Sequence, residues 1–115
     1  MSEQVLAIRR RVLGDEHPKT VEAMQDVAST LTALGDLRAG RKLQEAVLAA
    51  MGRSHGHDHP DTFRAMHNLA QTVFAQGDLV NACELQRKAL AGMRQRLGDN
   101  HPDTVRAMDT LAKMQ

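Results

Sequence analysis

From residue 60 onward the apolar positions fall into a helical rhythm. Phe63, Met66, Leu69, Ala70 and Val73 recur three or four residues apart, the spacing that places side chains on one face of an α-helix. The run stops at Gly77-Asp78. Gly suits the residue just past a helix end and Asp suits a helix N-cap. Beyond the turn, one stripe is Leu79, Ala82, Leu85, Ala89 and Met93, and another is Leu79, Cys83, Leu90 and Leu97. Two stripes mean two buried faces, so this helix touches neighbours on both sides, as in a solenoid. The same pattern extended along the chain predicts helices over 3–13, 18–34, 37–54, 60–76, 79–96 and 102–114.

The pattern repeats. His17-Pro18 returns as His59-Pro60 and as His101-Pro102, each 42 residues after the last. Gly14, Gly56 and Gly98 keep that step, as do Ala23-Met24, Ala65-Met66 and Ala107-Met108. Residues 15–56 and 57–98 align without gaps at 17 identities in 42. The domain reading is a single repeat domain over 1–115: a half unit at 1–14, repeats at 15–56 and 57–98, and a half unit at 99–115. Beginning and ending mid-unit fits a fragment of a longer array. Helices of this length are marginal alone in water, and one pair cannot cover both stripes, so stacking supplies the stability.

The junction Gly-x-x-His-Pro-x-Thr stands three times, as Gly14 to Thr20, Gly56 to Thr62 and Gly98 to Thr104. With the small residues at Ala70 and Ala82, and Gly40 in the place of Ala82 one unit earlier, it resembles the tetratricopeptide repeats of kinesin light chain and its bacterial relatives. Tetratricopeptide units usually run ~34 residues, and HEAT or armadillo repeats reach ~40–47. The His-Pro junction and the small-residue pattern favour the former. The resemblance implies an all-α, right-handed α-solenoid of antiparallel helix pairs, with about six helices here.

It also implies where a ligand sits. In such solenoids the first helix of each pair lines the concave face. Carried over by position, that face holds Glu22, Gln25, Asp26 and Ser29, then Arg64, His67, Asn68, Gln71 and Phe74, then Arg106, Asp109, Thr110 and Lys113. The face runs from acidic to basic. The expected ligand is an extended peptide or helix of another protein, its acidic part toward Arg64, Arg106 and Lys113. Asn68 is expected to bond the peptide backbone and Phe74 to give apolar contact. Asp26 and Thr110 stand where the middle unit has Asn68.

Composition narrows the alternatives. The formal net charge is +1, without the basic excess of a nucleic-acid binder. Arg9-Arg10-Arg11 reads as a solvated helix face. Cys83 is the only cysteine, so no intrachain disulfide is available, and its place on an apolar stripe reads as a small buried hydrophobe. No apolar run is long enough to cross a bilayer. A cytoplasmic protein with neither nucleic-acid nor membrane partners is expected. Two Phe are the only aromatic residues, so Leu, Val, Met and Ala must build the core.

His55, His57 and His59 resemble a metal-binding run, since imidazole is a good zinc ligand. The repeat accounts for His59, however, and no fourth ligand is evident, so no metal site is expected. The chain shows neither a nucleophile elbow nor a Walker or dinucleotide motif, and no enzyme activity or cofactor is expected. The leading reading is a protein-interaction scaffold. The alternatives are a self-assembly module that forms homo-oligomers through open solenoid ends, and a regulatory or sensor module of a larger multidomain protein.

Overall fold

The computed structural model describes residues 18–115. They form five helices: α1 (Pro18–Ala33), α2 (Leu37–Ser54), α3 (Pro60–Ala75), α4 (Leu79–Leu97) and α5 (Pro102–Met114). The expected helix over 3–13, with Arg9-Arg10-Arg11, lies outside the described residues. Consecutive helices are joined by short turns and pack on one another, and α3 also touches α5.

Two kinds of turn alternate, each written in the sequence. Within a pair, Gly35 and Gly77 both adopt φ of 91°, a left-handed conformation that costs glycine little. The amide of Asp36 donates back to Leu31 O at 2.8 Å, and that of Asp78 to Val73 O at 3.2 Å, which satisfies carbonyls orphaned at the helix end. The same aspartates then cap the next helix. Asp36 Oδ1 accepts from Ala39 N at 3.3 Å, and Asp78 Oδ1 from Asn81 N at 3.5 Å.

Between pairs, the Gly-x-x-His-Pro-x-Thr junction assigns a task to each residue. The chain leaves α2 through Gly56 at φ of 88°. His59 is the N-cap of α3, and its Nδ1 accepts from Asp61 N at 3.0 Å. Pro60 holds the first helical position, where a missing N–H costs nothing. Thr62 is fully buried and donates from Oγ1 to Gly56 O at 2.7 Å, closing the loop on itself. At α5 the cap recurs, with His101 Nδ1 accepting from Asp103 N at 3.1 Å.

Three apolar clusters, each drawing on more than one helix pair, make up the core. Val21, Met24 and Val27 of α1 pack with Val47, Ala50 and Met51 of α2 and with Ala65 of α3. Leu69, Ala70 and Val73 of α3 meet Ala82 of α4 and Met114 of α5. Phe63 joins Leu90, Met93 and Ala107. Where helices cross closely the residues are small. Ala70 and Ala82 are fully buried, and a Cβ added to Gly40 meets Thr32 Cγ2 at 2.5 Å. Cys83 packs against the second cluster but is only half-buried, less than its apolar stripe predicts. No helix among the described residues is long and apolar enough to cross a membrane.

Candidate functional site

Because α1 and α3 are the first helices of their pairs, their polar faces lie along one side of the stack. Four hollows open there. The first, of about 150 Å³, is lined by Val21, Glu22, Gln25, Met51, Ser54, His55 and Asp61. A narrow one lies between Gln25, Ser29, Gln44, Val47, Ala65 and Asn68. The third, about 290 Å³, is bordered by Ser29, Thr32, Leu37, Gln44, Asn68, Gln71, Thr72 and Ala75. The fourth, about 170 Å³, is bordered by Arg64, His67, Asn68, Met93, Asp103 and Arg106. Asn68 borders three of the four.

The expected ligand-facing residues therefore divide. Glu22, Gln25, Ser29, Arg64, His67, Asn68, Gln71 and Arg106 all border hollows on this side. Asp26, Phe74, Asp109, Thr110 and Lys113 border none of these four. Phe74 is half-buried and packs against the cluster of Leu69, Ala70 and Val73. Asp109 and Lys113 are exposed on α5, Asp26 is half-buried, and Thr110 spends its hydroxyl on Arg106 O at 3.0 Å. Gln44 is a groove residue that sequence reasoning missed. It belongs to a second helix, but stands where the next unit has the buried Gln86. Its side chain lines the second and third hollows, with Oε1 itself buried and without a hydrogen-bond partner.

Arg64 and His67 are more constrained than their positions suggest. Arg64 donates from Nε to Asp103 Oδ2 and from Nη1 to Asp61 Oδ1, both at 2.7 Å. The hydrogen bond to Asp103 raises the Arg64 pKa and lowers that of Asp103. The cation expected to meet an acidic ligand is thus held between two carboxylates, one from the next unit. His67 is buried. Gln86 Nε2 donates to its Nδ1 at 2.9 Å and to Ala107 O at 3.1 Å. Burial lowers the pKa of His67, and the nearby charge of Arg106 lowers it further.

One group could hold a metal. His55, His59 and Asp61 each place a ligand atom within 4.8 Å of the others. His57 stays out of this group. Its ring lies over Gly52, where an added Cβ meets His57 Cε1 at 2.9 Å.

The tetratricopeptide repeat family model matches residues 26–80 and again 64–115, and a second model of the same description matches 1–19. Comparison with curated proteins gave no match. Among solved structures, two of a Podosopora anserina protein named for kinesin light chain, with nearly identical TPR-like repeats, superpose with a TM-score of 0.90 at 28% identity. They are matched over 97% of this chain and 53% of theirs. BtubC (BKLC) from P. vanneervenii superposes with a TM-score of 0.88 at 18% identity, over 97% of this chain and 45% of its own. The chain thus spans about half the length of these relatives. The stacked antiparallel pairs are a right-handed α-solenoid, and the chain belongs to the tetratricopeptide repeat family, in its kinesin-light-chain-like form.

Proposed function

We propose that this chain is a protein-interaction scaffold, not an enzyme, and that it seats an extended peptide or helix of another protein in the groove along α1 and α3. The observation that carries the reading is the position of Asn68. It is exposed, borders three adjoining hollows, and shares them with Gln25, Gln44 and Gln71. Each amide side chain offers both donors and an acceptor, the set that can bond an extended backbone without regard to its side chains. Gln44, on the wall shared by two of these hollows, adds a fourth amide side chain.

The acidic part of the ligand lies toward Arg106, which is exposed beside the fourth hollow. Arg64 acts there as the fixed member of a network with Asp61 and Asp103. Selection of unstructured peptides on the wild-type chain, repeated on Asn68→Ala, tests the reading. Convergent peptides that Asn68→Ala no longer retains support it. Convergent peptides retained equally by both proteins reject the groove as their seat.

A further inference from the structure

Beside the first hollow of the groove, the turn from α2 into α3 gathers three side chains able to donate an electron pair, His55, His59 and Asp61. Ser54 has one hydroxyl hydrogen, and it goes to Ala50 O at 3.0 Å. The 2.7 Å contact between Ser54 Oγ and His55 Nδ1 is then a donation from the imidazole. In that tautomer Nε2 is free to ligate, and it stands 3.8 Å from Asp61 Oδ2. His59 Nδ1 accepts the Asp61 amide, so it too carries no hydrogen, and it lies 3.9 Å from the same Oδ2. The other oxygen, Asp61 Oδ1, is held by Arg64 Nη1 at 2.7 Å.

Two imidazole nitrogens converging on one carboxylate oxygen make a pocket for a cation, a proton or a metal ion. We propose that His55, His59 and Asp61 form a binding site for a divalent transition ion of the zinc class. Two imidazoles and one carboxylate suit that class. Bonds of about 2.0–2.1 Å in tetrahedral geometry put ligand atoms about 3.3 Å apart, so the 3.8 and 3.9 Å pairs to Asp61 close by about half an ångström and the two imidazoles, whose ligand atoms lie within 4.8 Å, draw together as well. The supporting contacts are those of a ligating shell: Ser54 turns the His55 ring and Arg64 turns the carboxylate. Ligation through His59 Nδ1 gives up its hydrogen bond to Asp61 N, so binding is linked to capping of α3. His55 and Asp61 also line the first hollow, together with Glu22.

The repeat supplies an internal comparison. His101 and Asp103 reproduce His59 and Asp61 one unit later, but Leu97 stands where the first unit has His55. Capping therefore explains two of the three residues and leaves His55 as the addition that makes a triad.

Titration calorimetry with Zn²⁺ on tag-free protein separates this site from loose chelation by His55, His57 and His59. The site predicts one ion per chain. It predicts that His57→Ala leaves affinity unchanged, whereas His55→Leu and Asp61→Asn each weaken it by about tenfold or more. Circular dichroism confirms that the variants fold, and His55→Leu copies the residue the next unit already carries. No saturable binding to the wild type overturns the proposal. So does a loss with His57→Ala equal to that with His55→Leu, or no loss with Asp61→Asn.

Discussion

The ring of Phe63 lies against the α-carbon of Gly92, so closely that a Cβ added there falls on Phe63 Cε1 and Cζ. One unit earlier the same two positions hold Val21 and Ala50, buried in one core cluster. The units thus trade volume across the α1–α2 and α3–α4 contacts: a larger residue on the first helix matches a smaller one on the second. Gly92 is a poor helix former by about 1 kcal/mol relative to Ala, and the space for the aromatic ring offsets that cost.

Gly92→Ala should therefore destabilise the chain despite its better helix propensity, by about 1–3 kcal/mol from overpacking less the propensity gain. Phe63→Val with Gly92→Ala, which restores the first unit's pair, should recover part of that loss. Urea denaturation of the two variants checks both statements. A single variant at least as stable as the wild type contradicts them.

His67 gives the fold a dependence on mildly acid pH. Its folded pKa lies below the ordinary 6.5 because burial disfavours the imidazolium. Between the two values the unfolded chain binds more protons, so stability falls as pH drops through the ordinary histidine range. The loss levels off below the folded pKa. Gln86 offsets part of this, because its Oε1 lies 3.2 Å from Nδ1 and can accept from the protonated ring. His67→Gln, the residue found at this position as Gln25, should flatten that part of the stability profile. Equal slopes for variant and wild type would show that other groups carry the dependence.

The two junction threonines should respond differently. Thr62 Oγ1 reaches Gly56 O, but the buried Thr104 Oγ1 has no partner. Thr62→Val should cost about 1 kcal/mol for a hydrogen bond lost inside the protein. Thr104→Val should be near neutral or slightly stabilising. Thermal melts of both variants measure the contrast, and equal losses would contradict it.

Helix boundaries were legible in the sequence to within one residue for all five described helices, 18–34 against Pro18–Ala33 being typical. Gly-Asp turns and His-Pro caps mark each end with local chemistry, so nothing distant was needed. The site was legible as a face but not as a network. Arg64 looked like a cation open to a ligand because its partner Asp103 is 39 residues away. Phe74 looked like a groove residue because helical position alone does not say which side of a half-buried ring faces the core. Gln44 was overlooked because it comes from a second helix, and only packing shows that it reaches between α1 and α3.

The Arg64–Asp103 pair joins α3 to α5 at the surface, with Arg64 about half exposed. Solvent screening limits such pairs to roughly 0.2–1 kcal/mol. A double-mutant cycle with Arg64→Ala and Asp103→Ala should give a coupling in that range, shrinking as salt is added. A coupling far above it would mean that the pair locks one repeat onto the next.

The groove assignment is tested most directly by the side-chain NH₂ signals of its amides in ¹H–¹⁵N spectra, recorded while a selected peptide is added. Gln25, Gln44, Asn68 and Gln71 should shift together and saturate at one peptide per chain, while Asn81 and Gln95, exposed on α4, stay in place. Shifts at Asn81 and Gln95 with the groove amides unmoved would place the ligand elsewhere and contradict the account.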